Sequence, residues 1–209
     1  SFLAGRFETA FLLLFIITFH ELGHLLFASL LKINASEIKI YCFGGITKYN
    51  TLLNTNINKE IFILIGGPIF QLILIYIIYN LKLYINYSTY VEFMNINKIL
   101  LAFNLLPLTS LDGGKLVNLL LNKFLPYKTS FTISIIVSIL TLPLIFKIFN
   151  IYLSILVLIF ILKEMYLEIT NYNYYFNKML LERYLDKTTF KKSIFIKNIK
   201  NIKRDKTFE

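Results

Sequence analysis

The sequence predicts an all-α polytopic membrane protein with about five visible transmembrane segments, one of them broken, and a short membrane-associated β-hairpin after the first. Three observations predict it. Hydrophobic residues make up 56% of the chain and charged residues 16%, a balance far from that of a soluble domain. The apolar residues are gathered in several long blocks, so a single cleavable leader does not account for them. One block is interrupted by Pro107 and by Gly113-Gly114, as expected of a helix that breaks inside the membrane.

A helix needs roughly 20 apolar residues to cross a bilayer. Residues 8–31 meet that length, and so do residues 61–83, which contain Gly66-Gly67-Pro68 near their start. Residues 94–106 are apolar up to Pro107-Leu108-Thr109-Ser110-Leu111-Asp112-Gly113-Gly114, after which residues 116–124 resume, and the whole reads as one span with an irregular centre. Residues 131–149 and 151–167 are the last two blocks, joined by a short turn near Asn150. Between the first two spans, Ile38-Lys39-Ile40-Tyr41-Cys42-Phe43 alternates like a strand. Gly44-Gly45 permits a turn there, and Ile46-Thr47-Lys48-Tyr49 returns as the second strand of the hairpin.

Charge sets the orientation. Lys32, Lys39, Lys48 and Lys59, then Lys123 and Lys128, then the basic C-terminus fall on one side of the spans, against Arg6, Lys82, Lys98 and Lys147 on the other. The richer set is expected to be cytoplasmic, which places the hairpin and the C-terminus there. Residues 1–169 form the membrane domain and residues 170–209 a basic tail, which holds ten of the 22 basic residues of a chain whose net charge is +10. Attraction to anionic lipid explains such a tail after a span more simply than nucleic acid does, so no nucleic-acid partner is expected. Ile196, Ile199 and Ile202 recur among lysines as on a surface-lying helix. The single cysteine, Cys42, excludes an internal disulfide. Ser1 stands directly before a membrane segment, and further upstream residues are expected.

The chemistry is concentrated in His20-Glu21-Leu22-Gly23-His24, which uses both histidines of the chain within an apolar span. Positions i and i+4 of a helix share a face, so both imidazoles can reach one metal ion. Polar side chains at membrane depth are costly and tend to serve function. Two imidazoles leave a catalytic zinc site one protein ligand short of three plus water. With no further histidine and no second cysteine, that ligand should be a carboxylate, and Asp112 is the one aspartate set within the apolar body. The alternative for Asp112 is a helix cap ahead of Gly113-Gly114. Glu60, Glu92, Glu164 and Glu168 stand at span ends where they reach water, as Glu8 does, although Glu164 remains a rival third ligand. Glu21 is the general-base candidate, taking a proton from the attacking water and passing it to the leaving amine. Gly23 lets another element approach the helix closely.

The paired motifs resemble those of the site-2 protease family of intramembrane zinc metalloproteases. That family joins H-E-x-x-H to a later N-P-x-x-x-x-x-D-G-type element, and Asn104-Leu105-Leu106-Pro107 leading to Asp112-Gly113-Gly114 is similar to it. The pattern is most like the bacterial sporulation-type branch, which cleaves a membrane-associated pro-sigma factor. The resemblance implies one zinc ion per chain on His20, His24 and Asp112, with Glu21 catalytic. Phe43-Gly44-Gly45 resembles the family hairpin that offers an edge strand to extended substrate, and Asn104 and Pro107 are implied as substrate-contacting as well. Gly66-Gly67-Pro68-Ile69-Phe70-Gln71 resembles the G-P-x-x-N element, with Gln71 where Asn is usual. The implied partners are a membrane-tethered protein substrate, the lipid bilayer and regulatory membrane proteins. The rival reading is a catalytically inactive scaffold or receptor with a structural zinc site, against which the intact Glu21 argues. A transporter is disfavoured by the lack of paired inverted halves.

Overall fold

A computed structural model describes residues 2–33, 35–41, 44–49 and 56–185 of the chain. Phe43, the stretch with Ile196, Ile199 and Ile202, and most of the basic tail lie outside the described residues.

The first helix, α1 (Phe2–Leu30), is an unbroken apolar run without proline. It ends at Lys32, which takes φ 57°. The amides of Lys32 and Ile33 turn back to the carbonyls of Ser29 and Ala28 at 2.9 and 3.0 Å. These are the two bonds of a Schellman stop, built here without the usual glycine. Strands β1 (Ala35–Tyr41) and β2 (Gly44–Tyr49) pair antiparallel, with an irregularity between Ala35 and Glu37. Gly44 and Gly45 stand inside β2, opposite Tyr41 and Ile40, rather than between the strands. Asparagines then start helices by accepting from the backbone two or three residues ahead. Asn56 accepts from Asn58 N before α2 (Ile57–Asn80), and Asn86 from Ser88 N before α3 (Tyr87–Asn104). The chain continues as α4 (Asp112–Phe124), α5 (Tyr127–Thr141), a 3-10 turn (Leu142–Leu144), α6 (Ile145–Ile148) and α7 (Ile151–Leu185). Asn150 accepts from Leu153 N at 3.0 Å to start α7.

Among the described residues, three segments, Phe7–Leu30, Ile57–Asn80 and Tyr127–Ile148, are long and apolar enough to cross a membrane, against the five expected. The block at 94–124 is not a single span. Its two parts are separate helices, and Glu92, Asn95, Asn97, Lys98 and Asn104 make α3 too polar to qualify by composition. α4 has 13 residues, and at 1.5 Å per residue it reaches about 20 Å of a roughly 30 Å hydrocarbon core. The block at 151–167 is the start of a helix that runs on to Leu185, and Lys163, Glu164 and Glu168 dilute its apolar character.

The residues divide into two compact units. The first takes Ser1–Asn50 and Phe62–Asn104, and its core is Ile16, Ile17, Leu74, Phe93 and Leu100. Across α1 and α3, Thr9 donates to Glu92 and Thr89 donates to Glu8 at 2.6 Å. The second unit takes Thr51–Ile61 and Leu105–Glu209, with Leu108, Ile145, Val157 and Ile161 fully buried. There Tyr172 packs its ring 4.7 Å from Phe131 and 5.7 Å from Tyr127. Burial, then the neighbouring Tyr127, pushes the Tyr172 phenol up to about 12, so this packed ring stays neutral.

Both units bury polar side chains beside their apolar cores and expose large apolar ones. Gln71, Asn97, Ser130, Ser134, Ser138 and Ser154 are fully or almost fully buried, while Phe7, Phe11, Leu72, Tyr76, Ile139 and Leu140 are exposed. In water that exposed surface would be a severe liability; lipid is the solvent that suits it. The chain is an integral membrane protein.

Ser138 shows how the buried polar groups are used. Its hydroxyl donates toward the carbonyls of Pro107 (3.1 Å) and Ser134 (2.8 Å) and accepts from Thr109 N at 2.9 Å. Ser138→Ala should leave the Thr109 amide and the Pro107 carbonyl unmatched in a buried place, at a cost of roughly 1–3 kcal/mol. A loss of thermal stability in detergent would show it. An unchanged melting temperature would mean water replaces the hydroxyl.

Candidate metal centre

His20 and His24 lie one turn apart on α1, 3% and 6% exposed, with their Nε2 atoms 3.0 Å apart. Each ring is held from behind. His20 Nδ1 faces Gln71 Oε1 at 3.0 Å, and His24 Nδ1 faces the Ile63 carbonyl at 3.0 Å. An oxygen acceptor opposite Nδ1 requires the proton there, so each neutral ring turns its Nε2 lone pair toward the other. Two facing lone pairs repel unless a proton or a cation lies between them. This is the arrangement of metal-ligating histidines, whose second nitrogen is fixed by an outer partner.

The helix α2 opens to let these rings in. A Cβ on Gly67 would stand 2.4 Å from His24 Nε2 and 2.6 Å from His20 Nε2. The same helix meets α1 through Gly66, whose carbonyl would lie 2.4 Å from a Cβ on Gly23. Pro68, which lacks an amide, follows these two glycines inside α2. The Gly-Gly-Pro run thus forms a shallow floor beneath the imidazoles. Glu21, next in sequence to His20, is 5% exposed.

Asp112 opens α4 in the second unit and is 9% exposed. The residue in the cap position is Leu111, with no side-chain cap bond, so Asp112 is not the helix cap considered as its alternative role. Its Oδ1 lies 3.6 Å from Lys115 Nζ one turn on. Gly113 and Gly114 press against the backbone of Leu105, Leu106 and Leu108, where any side chain would collide. The turn ahead of the helix is closed by Leu108 N to Leu106 O (2.7 Å) and Leu111 N to Leu108 O (2.8 Å). His20 and His24, both in the first unit, bring two imidazole Nε2 atoms to one point, donors suited to zinc, and a third protein ligand would complete the usual catalytic set.

Of the remaining expected residues, Asn104 is buried at the end of α3, and the Pro107 carbonyl is held by Ser138. Gly44 and Gly45 are in β2. Sequence reasoning named Gln71 and Gly67 without giving either a role and passed over Asn97. Both amides are polar residues inside apolar helices, a signal that was present, but only a fold pairs them with His20.

This geometry defines a class of site, a pair of imidazoles on one membrane helix whose Nε2 atoms converge and whose Nδ1 atoms each face an oxygen. Residues 8–92 match the sequence model of Peptidase family M50, and the chain is site-2-protease-like. It is 29% identical over 192 residues to Stage IV sporulation protein FB of Bacillus subtilis (strain 168), covering 88% of this chain and 67% of that protein. Together these similarities support an intramembrane protease. Asp112 lies beyond the residues matched by the family.

Proposed function

We propose that this chain is a zinc endopeptidase that hydrolyses a peptide bond in or near the transmembrane segment of a membrane-tethered protein, a pro-sigma factor or another regulatory protein. The observation that carries it is the convergence of His20 and His24 Nε2, each ring backed at Nδ1 by an oxygen. In this reading His20, His24 and Asp112 hold one zinc ion. Zinc, when bound, supplies a Lewis acid that polarises a carbonyl and acidifies water. Glu21 takes the proton from the attacking water on its carboxylate and delivers it to the nitrogen of the breaking C–N bond. Its burial beside His20 keeps bulk water from competing for that proton.

A substrate helix hides its carbonyls in internal hydrogen bonds and must unwind before attack. The hairpin of β1 and β2 has backbone groups to offer such a segment by strand addition, and in this reading Gly44 and Gly45 of β2, with Phe43 ahead of them in the sequence, contact the substrate. Asn104 and Pro107 then line the place where the unwound chain is seated. The protease portion is residues 1–169, followed by a basic tail at 170–209, with hairpin and C-terminus on the cytoplasmic face of a bacterial membrane.

Glu21→Gln tests this. The variant should hold as much zinc as the wild type while cleavage of a tethered reporter falls by roughly 10²–10⁴-fold or more. A variant that keeps zinc and cleaves normally removes Glu21 from the mechanism. Zinc without cleavage of any reporter by the wild type, its biological role surviving in Glu21→Gln, would instead favour a scaffold with a structural site.

A further inference from the structure

Gln71 and Asn97 are fully buried, on α2 and α3, and form a directed chain of hydrogen bonds ending at His20. Its direction can be read from one end. The backbone carbonyl of Gln71 can only accept, so the Asn97 group 3.4 Å from it is the Nδ2 amide. Asn97 Oδ1 then faces the other way and accepts from Gln71 Nε2 at 3.0 Å. Gln71 in turn has its Oε1 committed to His20 Nδ1 at 3.0 Å. Turning the Gln71 amide over would set its oxygen against Asn97 Oδ1 and its N–H groups against His20 Nδ1. With no solvent at either residue, nothing compensates such a mismatch.

We propose that Asn97 fixes which end of the Gln71 amide meets His20, and that the pair thereby holds His20 in the tautomer that carries its proton on Nδ1 and its lone pair on Nε2. An amide, unlike a carboxylate or a carbonyl, can present either a donor or an acceptor. If Gln71 presented its N–H, His20 would move its proton to Nε2 and lose the atom that faces His24. Gln71 and Asn97 are therefore positioning residues for a ligand, and a glutamine here requires the second amide. His24 needs no such arrangement, because the Ile63 carbonyl has only an acceptor to offer. The inference rests on the zinc reading for its purpose, but the tautomer itself is a property of the protein without metal.

The two histidines of the chain make the experiment direct. Protein labelled with 15N-histidine, purified in detergent and stripped with chelator, should show two imidazoles, each protonated at Nδ1. His24→Asn serves only to assign them. In Asn97→Leu the His20 signals should shift toward a mixture of tautomers while His24 keeps its proton on Nδ1 against the Ile63 carbonyl, and zinc affinity should fall by roughly 10–100-fold. Gln71→Leu should weaken zinc to a similar extent. The double variant Gln71→Glu with Asn97→Leu should return the His20 proton to Nδ1 and recover affinity, because a carboxylate has no N–H to offer. A His24 proton retained on Nδ1, with the wild-type thermal stability in detergent, reports that each variant is folded.

Wild-type His20 without a proton on Nδ1 would overturn the proposal. So would Asn97→Leu and Gln71→Leu variants with wild-type tautomers and wild-type affinity. The stated tautomer changes in a wild type that binds no zinc would support the pair and sink the zinc reading instead.

Discussion

Gly67→Ala is expected to yield a folded protein that no longer binds zinc. The added methyl would stand 2.4 Å from His24 Nε2 and 2.6 Å from His20 Nε2 and Cε1, well inside contact distance for both donor atoms. What it meets is the far end of two side chains and not backbone, so the rings can swing aside at modest cost. Alanine is also better than glycine inside a helix by about 1 kcal/mol. The displaced rings, however, lose their oxygens at Gln71 and Ile63 and their shared point of approach. Affinity should drop by more than about 100-fold, the upper end for changes in the outer shell of a metal site. Metal analysis and thermal stability in detergent would be measured together. Stoichiometric zinc in a Gly67→Ala protein would mean the ion does not sit where these two nitrogens meet.

Gly114→Ala should do the opposite, damaging the fold first. Its Cβ would fall 2.0 Å from the Leu108 carbonyl oxygen, 2.2 Å from the carbonyl carbon and 2.5 Å from Thr109 N. That peptide cannot give way easily. Leu108 O already accepts from Leu111 N at 2.8 Å, and Thr109 N is tied to Ser138 at 2.9 Å. Helix α4 would have to lift from its own entry turn, carrying Asp112 with it. A loss of about 3 kcal/mol or more is expected, at the top of the range for overpacking. In a chain of this size that corresponds to a fall of roughly 6–12 °C in melting temperature. A variant melting with the wild type would show that the turn at 105–111 is looser than its hydrogen bonds indicate.

These two glycines show how legible the molecule was. The shared face of His20 and His24 was readable because the period of an α-helix puts residues four apart on one side, whatever surrounds it. Asp112 was reachable by elimination, since the apolar body holds no other aspartate. The hairpin segment was legible from its alternation, but the place of Gly44 and Gly45 was not, because register is a property of two strands together. The count of spans was overestimated for a similar reason. Apolar blocks at 94–124 and 151–167 look alike in sequence, yet one is two helices joined by a turn and the other is the start of a 35-residue helix.

By itself, then, the sequence determined a lipid-suited chain and the shared face of His20 and His24 on α1, because apolar content and helical period are local properties. Only the tertiary structure decided that Gly67 makes room for both imidazoles, that Gln71 faces His20, and that Asn97 sets the direction of that contact. Gln71 and Asn97 lie 51 and 77 positions along the chain from His20. The packing of α2 and α3 around α1 brings them together, and in a buried, water-free interior each amide must then take the one orientation that satisfies its neighbours.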